Sequence, residues 1–306
     1  MRNHFEVEIY SDSVPLTEAV LSSRIGDADG LLCLVTDPVT ERVMEQAPRL
    51  KIISNHGVGY DNIDIAAATR RKIAVTNTPG VLTEATADFT WALLLAVARQ
   101  VVAGDRVVRS GQFHGWDPLF MRGADIVGKT LGIIGAGRIG TAVAERAVGW
   151  KMSVLYLNRG RNEYLEQKLN ARRVLLPELL SHSDFISIHL PLTPETRHFI
   201  GANELAQMKP TAYLINTARG AIIDEQALLK ALQDNQIAGA ALDVFEHEPA
   251  LTPGLAELPN VVLAPHLGSA TFETRDKMAE IAATNIIRYF QGKKPISIVN
   301  PEVLEP

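Results

Sequence analysis

The sequence predicts an α/β protein built from two doubly wound parallel sheets, and three observations support this prediction. Short apolar runs alternate with segments of helical hydrophobic spacing along the chain, which is typical of parallel α/β folds. The runs fall into two groups, separated by a long helical stretch over 84–110 and an aromatic, glycine-bearing loop over 111–123. The length of 306 residues is sufficient for about two domains with sizeable cores.

The apolar runs give the predicted strands in chain order. The first group contains strands over 5–10, 31–36, 52–56 and 73–77. The second group contains strands over 131–134, 153–157, 185–189, 212–216, 240–244 and 261–264. A last helix over about 271–291 follows the final strand, and we expect the tail after it to return to the first sheet.

A glycine-rich turn opens the second group. The run 131–134 leads into Gly135, Gly137 and Gly140, and a helix is predicted over 139–148 before the next strand. At this spacing the first glycine makes a tight turn, the second admits backbone close to a pyrophosphate, and the third lets helix and strand pack closely. An ordinary strand-to-helix turn is the alternative, but the complete strand–turn–helix–strand unit favours a dinucleotide bound at the helix N-terminus.

Composition and charge argue against several classes of protein. The net charge is −5 and no basic face or arm stands out, so we expect no nucleic-acid partner. The single cysteine, Cys33, lies in an apolar run and is expected to be a core residue in a reducing compartment. Residues 1–10 carry scattered charges where a signal peptide needs an apolar segment, so we expect a cytoplasmic protein. Because no metal-ligand spacing such as HExxH is present, no metal is expected.

The longest apolar stretch, 91–98, is too short to span a bilayer and is predicted as a buried helix. Such a helix must be covered on nearly every face. We therefore hypothesise that it lies at a subunit interface, together with the loop that carries Trp116 and Phe120, and we expect a homodimer.

Three polar residues follow predicted strands of the second group. Arg219 comes after 212–216, Glu248 after 240–244, and His266 after 261–264. Ligands of open α/β sheets bind outside the carboxyl ends of the strands, so these side chains are candidates for catalysis. Taken singly, each is more often a surface charge or a hydrogen-bonded polar residue. Together, downstream of a dinucleotide turn, they form a coherent set for hydride transfer.

A second candidate loop follows the strand 52–56 and reads GVGYDNID. Its first two glycines, separated by Val58, allow successive backbone N–H groups to point at one anion, such as a substrate carboxylate. A plain strand-to-helix turn capped by Asp61 or Asn62 explains the same residues equally well. His56, directly before the loop, is diagnostic of no particular substrate.

The turn after the strand 153–157 indicates which dinucleotide is bound. An NAD-specific turn carries an acidic side chain here, which binds both ribose hydroxyls and repels a 2′-phosphate. This chain instead has Asn158, followed by Arg159, Gly160 and Arg161. A solvated basic loop is the alternative, but two guanidinium groups without a carboxylate predict a preference for NADPH, with Arg159 the main phosphate contact.

Seven segments distributed over nearly the whole chain resemble the D-2-hydroxyacid dehydrogenase family, and within it the glyoxylate and hydroxypyruvate reductases. In family order they are GVGYDNID, VTNTPGVLTEATAD, GKTLGIIGAGRIG, HLPLTPETRHFI, LINTARGAIIDEQAL, GAALDVFEHEP and APHLGSAT. The resemblance implies reduction of a small 2-oxo acid, with hydride passing from the nicotinamide to the carbonyl carbon.

The resemblance also assigns roles to single residues. Arg219 binds and polarises the substrate, His266 is the general acid/base, Glu248 is its partner, and Val58 and Gly59 donate backbone N–H groups to the substrate carboxylate. The implied cofactor contacts are Ala136, Gly137, Arg138, Ile139, Asn158, Arg159, Gly160, Thr217, Ala218, Arg219, Asp243 and Gly268.

The family architecture implies that residues 1–99 and 286–306 form a flavodoxin-like substrate domain, into which a Rossmann dinucleotide-binding domain, 100–285, is inserted. The active site is then expected in the cleft, where hinge closure expels water. Two alternatives stay open. One is a related dehydrogenase of the phosphoglycerate or D-lactate type, and the other is a dinucleotide-sensing protein similar to the C-terminal-binding-protein corepressors.

Overall fold

The structure is a computed structural model that describes residues 1–11 and 16–305. The α-helices are α1 (Glu18–Ile25), α2 (Glu41–Glu45), α3 (Ile65–Arg70), α4 (Thr83–Ala98), α5 (Val101–Arg109), α6 (Arg138–Arg146), α7 (Glu163–Leu169), α8 (Leu176–His182), α9 (Ala202–Leu205), α10 (Glu225–Gln233) and α11 (Phe272–Phe290). The strands are β1 (Gly30–Leu34), β2 (Ile52–His56), β3 (Ala74–Thr76), β4 (Thr130–Ile134), β5 (Ser153–Leu157), β6 (Arg172–Arg173), β7 (Phe185–Ile188), β8 (Tyr213–Asn216), β9 (Gly239–Leu242) and β10 (Val261–Leu263).

The chain divides into two compact units. The first comprises Met1–Leu82 and Thr271–Pro306, and the second comprises Thr83–Ala270. These limits differ from the predicted ones, 99/100 and 285/286, because each crossing helix belongs to the sheet that it covers. Trp91 on α4 donates its indole N–H to the Val143 carbonyl on α6 of the second unit, at 2.9 Å. Ser54 on β2 donates its hydroxyl to the Ala282 carbonyl on α11, also at 2.9 Å.

The second unit is a seven-stranded parallel sheet in the order β10-β9-β8-β7-β4-β5-β6. The chain starts in the middle at β4, moves outward through β5 and β6, and then returns to β7 on the other side. The space between the ends of β4 and β7 is therefore a topological switch point, where α/β sheets bind ligands. One apolar core lies on each face of the sheet, and α4 and α6 contribute to one of them. This arrangement confirms the predicted parallel α/β fold.

The first unit contains a three-stranded parallel sheet in the order β1-β2-β3. Apolar residues of α1, α2 and α3 pack together with β1 and β2 in one core, while α11 packs against β2 and β3 in another. As predicted, the C-terminal tail returns here. The backbone N–H of Val299 donates to the Val75 carbonyl at 2.7 Å, and the Asn300 side chain accepts from the Val75 N–H at 2.7 Å.

Two predicted elements differ from the structure. No strand forms over 5–10, because this run is not buried along its length: Phe5 packs edge-on against Phe290 of α11, but Ile9 is 59% exposed. The long helix predicted over 84–110 is two helices, α4 and α5, bent by 63°. The chain breaks at Gln100, which adopts a left-handed conformation with φ 52°. Among the described residues, no single helix has both the length and the apolar character to cross a membrane, although α4 and α5 together pass that test as a bent pair.

Candidate active site

The glycine turn after β4 has the geometry that its three glycines predict. Gly135 has φ +96°, and a Cβ there would lie 2.7 Å from the His189 carbonyl oxygen. A Cβ on Gly140 would lie 2.1 Å from the Gly135 oxygen, so α6 packs directly on the turn. Gly137 faces open space, and α6 begins after it without a side-chain cap. Exposed N–H groups at a nine-residue helix therefore have room for a pyrophosphate, and the turn fits a dinucleotide.

The loop after β5 lies beside this turn. Gly135 donates its N–H to the Leu157 carbonyl at 2.9 Å, which ties the two loops together. Asn158 comes directly after the strand, and its amide donates to the Gly160 carbonyl at 3.1 Å. Arg159 and Arg161 are both exposed on the same loop. The structure therefore brings the predicted ribose-side residues to the carboxyl edge of the sheet, next to the glycine turn.

Arg219 lies in the turn after β8, which Asn216 holds closed. The Asn216 amide donates to the Arg219 carbonyl at 2.8 Å, and its oxygen accepts from the Ala218 N–H at 3.0 Å. The following Gly220 is required by a close approach, since a Cβ there would lie 1.9 Å from the carbonyl carbon of Phe245. The absence of a side chain at Gly220 thus brings the arginine turn against the loop that carries Glu248.

His266 lies just after β10 in a left-handed backbone conformation, φ 56°. Asp243, which follows β9, holds this conformation in place. Its carbonyl accepts from the His266 N–H at 2.8 Å, and its carboxylate accepts from the N–H groups of Leu267 and Gly268 at 2.6 and 2.8 Å. Left-handed conformations of non-glycine residues cost energy and persist where surrounding bonds enforce them.

Glu248 is the partner of His266. Its Oε2 lies 3.0 Å from Nδ1 of His266, and its Oε1 accepts from the Phe245 N–H at 3.0 Å. Burial raises the pKa of Glu248, but the hydrogen bond and charge of His266, the Phe245 N–H and the charge of Arg219 outweigh burial and hold the pKa below its ordinary value. The influence of both basic groups on this carboxylate places Arg219, Glu248 and His266 in one electrostatic neighbourhood.

Glu246, two residues earlier, has a different partner. Its carboxylate lies 2.5 Å from Nε2 of His198, and its backbone N–H donates at 2.7 Å to Glu225. Glu225 is buried and also accepts from the Thr252 hydroxyl at 2.8 Å. The sequence analysis missed Glu225, although a glutamate directly after the helix cap Asp224 is a visible signal for a residue that reaches back to a neighbouring loop.

The remaining predicted cofactor residues of the second unit have specific partners. Thr217 is buried, and its hydroxyl lies 2.8 Å from the hydroxyl of Thr90 on α4, a residue that the sequence analysis did not single out. Asp243 is also buried, and burial raises the pKa of its carboxyl group despite the two N–H groups that it accepts. Asp243 therefore holds the His266 loop in place. The sequence analysis predicts a cofactor contact for Asp243 and did not predict this structural role.

The GVGYDNID loop belongs to the first unit and follows β2. Side-chain amides hold two of its carbonyls: Asn77 donates to Val58 O at 2.8 Å, and Asn55 donates to Gly59 O at 2.6 Å. Within the described residues, the N–H groups of Val58 and Gly59 donate to no protein acceptor. The following helix is capped by Asp64, and neither Asp61 nor Asn62 takes that position. These features favour the anion-binding interpretation of the loop.

His56 ends β2 immediately before this loop. Burial lowers the pKa of the His56 imidazole, and the charge of Arg275 on α11 lowers it further. Its Nε2 is buried and has no partner among the described residues. A backbone hydrogen bond with Arg275 acts on this pKa in the opposite direction without outweighing burial and charge, so His56 is linked to α11 of the same unit.

Comparison with known proteins identifies relatives along the whole chain. Residues 91–268 match the model of the D-isomer specific 2-hydroxyacid dehydrogenase, NAD binding domain. A glyoxylate reductase of Korarchaeum cryptofilum is 51% identical over 308 residues, which cover 100% of this chain and 92% of the relative. The TT0316 protein of Thermus thermophilus has a TM-score of 0.90 at 45% identity, covering 97% of this chain and 94% of that one.

An NADPH-dependent glyoxylate/hydroxypyruvate reductase of Sinorhizobium meliloti, solved with NADP and malonate, has a TM-score of 0.82 at 34% identity. That comparison covers 92% of this chain and 87% of the Sinorhizobium chain.

Proposed function

The chain belongs to the D-isomer specific 2-hydroxyacid dehydrogenase family, and from this premise we propose its substrate, its preferred cofactor and the role of each catalytic residue. It is an oxidoreductase that uses a nicotinamide dinucleotide to reduce a small 2-oxo acid to the 2-hydroxy acid. We assign glyoxylate as substrate and hydroxypyruvate as a second one. The observation that carries the assignment is the pairing of His266 with Glu248 at 3.0 Å beside Arg219, on the ligand-binding edge of a dinucleotide sheet.

The catalytic step follows from the chemistry of these three side chains. The nicotinamide, when bound, supplies the hydride that reaches the carbonyl carbon of the substrate. Arg219 stabilises the negative charge that develops on the carbonyl oxygen, because its guanidinium offers fixed donors to an oxyanion. His266 donates a proton to that oxygen from Nε2, since Nδ1 faces Glu248. Glu248 fixes the orientation of the ring through its hydrogen bond at Nδ1.

The backbone of the first unit supplies the proposed recognition of the substrate carboxylate. The Gly59 N–H is oriented because the Asn77 amide holds the Val58 carbonyl of the same peptide group. The Val58 N–H is oriented in the same way, because the Thr78 N–H donates to the Gly57 carbonyl at 2.9 Å. Fixed backbone donors bind an anion without loss of side-chain entropy. A small loop of this kind suits a carboxylate that every 2-oxo acid carries.

A turnover assay tests the assignment against its alternatives. The purified protein is given glyoxylate, hydroxypyruvate, pyruvate and 3-phosphohydroxypyruvate with reduced nicotinamide cofactor, and oxidation of the cofactor is followed. We expect the highest kcat/KM with glyoxylate or hydroxypyruvate. A higher value with pyruvate or the phosphorylated acid would identify a D-lactate or phosphoglycerate type of enzyme. Cofactor binding without any turnover would instead favour a dinucleotide-sensing binding protein.

We further propose that the enzyme prefers NADPH over NADH. Asn158 stands where a carboxylate would repel the 2′-phosphate, and Arg159 is exposed on the same loop. No carboxylate in the described part of the chain lies within ion-pair distance of Arg159, although its charge helps to lower the pKa of Glu195, and we propose that its guanidinium binds the phosphate. The combined substitution Asn158→Asp with Arg159→Ile should move the preference toward NADH. A wild-type protein that already prefers NADH would contradict the proposal.

A homodimer in the cytoplasm completes the proposed assignment. The predicted interface helix, now α4, is mostly covered inside its own unit, because Trp91 stacks on Trp150 and packs against α6. The exposed apolar surface lies instead on α5, which buries none of its residues, and on the loop with Trp116, 86% exposed. We propose this surface as the dimer contact. Light scattering should give the mass of two chains, and a monomer of full activity would remove the proposed contact.

A further inference from the structure

The second arginine of the ribose-side loop is already bound to a carboxylate. Nε of Arg161 lies 3.1 Å from Oε2 of Glu166, and Nη2 of Arg161 donates to the same oxygen. The two side chains are unequally exposed, 69% for Arg161 and 19% for Glu166. The pair therefore consists of an exposed guanidinium held by a carboxylate that the protein largely covers.

Glu166 is fixed in place by a network that includes the cofactor turn. The Tyr156 hydroxyl donates to Oε1 of Glu166 at 2.7 Å and accepts from the Asn162 N–H at 2.9 Å. The Asn162 amide in turn donates at 3.1 Å to the carbonyl of Ala136 in the glycine turn, while its oxygen caps α7. Because Tyr156 is fully buried, the carboxylate has little freedom to follow Arg161 away from this position.

The charge interactions have a clear direction. The hydrogen bonds from Arg161 and Tyr156 to Glu166 hold the pKa of the Glu166 carboxyl below its ordinary value, so this carboxylate is ionised at neutral pH. A 2′-phosphate that contacts Arg161 must compete with the Glu166 carboxylate for the guanidinium. The phosphate is also repelled by the negative charge of that carboxylate. Both effects oppose phosphate binding, and neither acts on a cofactor that has a free 2′-hydroxyl.

We propose that Glu166 is a specificity-determining residue that withholds Arg161 from the 2′-phosphate and so limits the preference for NADPH over NADH. The inference rests on the proposed function, in which Arg159 binds that phosphate. With Arg161 engaged, Arg159 is left for the phosphate where the loop itself carries two arginines. Arg173, which lies beside the loop, donates to the carbonyls of Asn158 and Arg159. Glu166, which lies on α7, thereby supplies part of the discrimination against the 2′-phosphate that an acidic residue at position 158 would supply directly.

Glu166→Gln tests the proposal because an amide oxygen still accepts from Tyr156 while the anion is lost. We expect the ratio of kcat/KM for NADPH to that for NADH to rise about three- to tenfold, as for one additional charge-assisted hydrogen bond at an exposed site. Calorimetry gives a readout without turnover. Adenosine 2′,5′-bisphosphate should bind the variant more tightly by the same factor, and 5′-AMP should bind as to wild type.

Glu163→Gln is the matched control, because Glu163 is exposed and lies in the first turn of the same helix. Glu163 acts on Arg161 through its charge without a hydrogen bond to it, so this substitution removes the same charge and leaves the pair of Arg161 with Glu166 intact. Arg161→Gln completes the test. It should change the wild-type ratio by less than about twofold and abolish the rise in the Glu166→Gln background. An unchanged ratio in Glu166→Gln, an equal rise in Glu163→Gln, or loss of NADPH preference in Arg161→Gln alone would each overturn the proposal.

The two readouts separate failure of the inference from failure of the proposed function. A wild-type protein that oxidises neither cofactor with a 2-oxo acid would contradict the proposed function. The binding of adenosine 2′,5′-bisphosphate would still decide the role of Glu166 in that case. Thermal unfolding of each variant identifies a change caused by misfolding, and the Arg161→Gln variant, whose substitution lies on the exposed side of the pair, remains informative if Glu166→Gln is unstable.

Discussion

The loop that carries His266 and the loop that carries Arg161 each pair a basic side chain with a glutamate, but they are held in different ways. The His266 loop is fixed by backbone groups, since the buried Asp243 accepts N–H bonds from Leu267 and Gly268 and from His266 itself. In the Arg161 loop the guanidinium donates hydrogen bonds to the Glu166 side chain, not to the backbone, within the described residues, and its own exposure is high.

This difference distinguishes the part of the site whose geometry the fold fixes from the part whose cofactor preference a single substitution can change. Buried hydrogen bonds to backbone are costly to break, because the orphaned group cannot turn to water. Exposed ion pairs contribute little to stability and are weakened by salt. The position of the acid/base is therefore expected to be rigid, whereas the choice of cofactor rests on a contact that is easily exchanged.

The largest effect is expected from replacing the acid/base. His266→Asn should lower the rate of reduction by about two to four orders of magnitude while cofactor binding is retained. Asparagine tolerates the left-handed conformation, so the loop should keep its shape. His198→Asn is the matched control, because His198 has φ 52° and pairs with Glu246 in the same region. Steady-state turnover within about threefold of wild type is expected for the control, and equal losses in both variants would contradict the role of His266.

Arg219→Lys should also lower turnover strongly, by about a hundredfold in kcat/KM, because an ammonium cannot reproduce the planar fork that holds an oxyanion. Both kcat and KM should change, since Arg219 is assigned to binding and to charge stabilisation. Measuring the two separately decides between these contributions. Normal values of both would rule the arginine out of the reaction.

The rigidity of the catalytic loop is tested at Asp243. In Asp243→Asn one of the two accepting oxygens becomes an NH₂ group that faces an N–H donor. We expect a loss of about 1–3 kcal/mol in the free energy of unfolding and a fall of about tenfold or more in kcat with little change in KM, since His266 is displaced. Denaturant unfolding and steady-state kinetics measure the two effects. Unchanged kcat with reduced stability would limit Asp243 to a purely structural role.

The smallest effect is expected at the partner of the histidine. In Glu248→Gln the imidazole keeps a hydrogen-bond partner at Nδ1 but loses the neighbouring carboxylate, so kcat for reduction should fall by up to about tenfold. The contribution of Glu248 to stability should depend on pH. Because the pKa of Glu248 lies below its ordinary value of 4.5, its ionised form stabilises the folded protein above that pH. The difference in Tm between wild type and Glu248→Gln should therefore shrink as the pH falls below 4.5, and a constant difference would contradict the charge interaction.

Much of this arrangement follows from the sequence, because its signals are local. The strand before Gly135 and the glycine spacing predict the turn, and the position of Arg219 and His266 after strands predicts that they meet at one edge of the sheet. That inference needs only the rule that parallel strands end on the same side. The fold class and six of the seven strands of the second sheet could be predicted for the same reason, whereas the two-residue edge strand β6 was not predicted.

The features that escaped prediction depend on contacts between distant residues. Nothing in the composition around Gln100 announces the break between α4 and α5, since neither glycine nor proline marks it. Asp243 precedes its partners Leu267 and Gly268 by more than twenty residues, and its engagement depends on how β9 and β10 end together. To predict the pairing of Arg161 with Glu166, one must know the direction in which α7 leaves the loop.

The left-handed backbone of His266 means that thermal stability and turnover select for different residues at this position. Glycine or asparagine would adopt the same backbone with less strain, by about 1 kcal/mol. The hydrogen bond between Nδ1 of His266 and Glu248 offsets part of that cost. A library screened for heat resistance alone is thus expected to lose the histidine, and only a screen that also demands product will retain it.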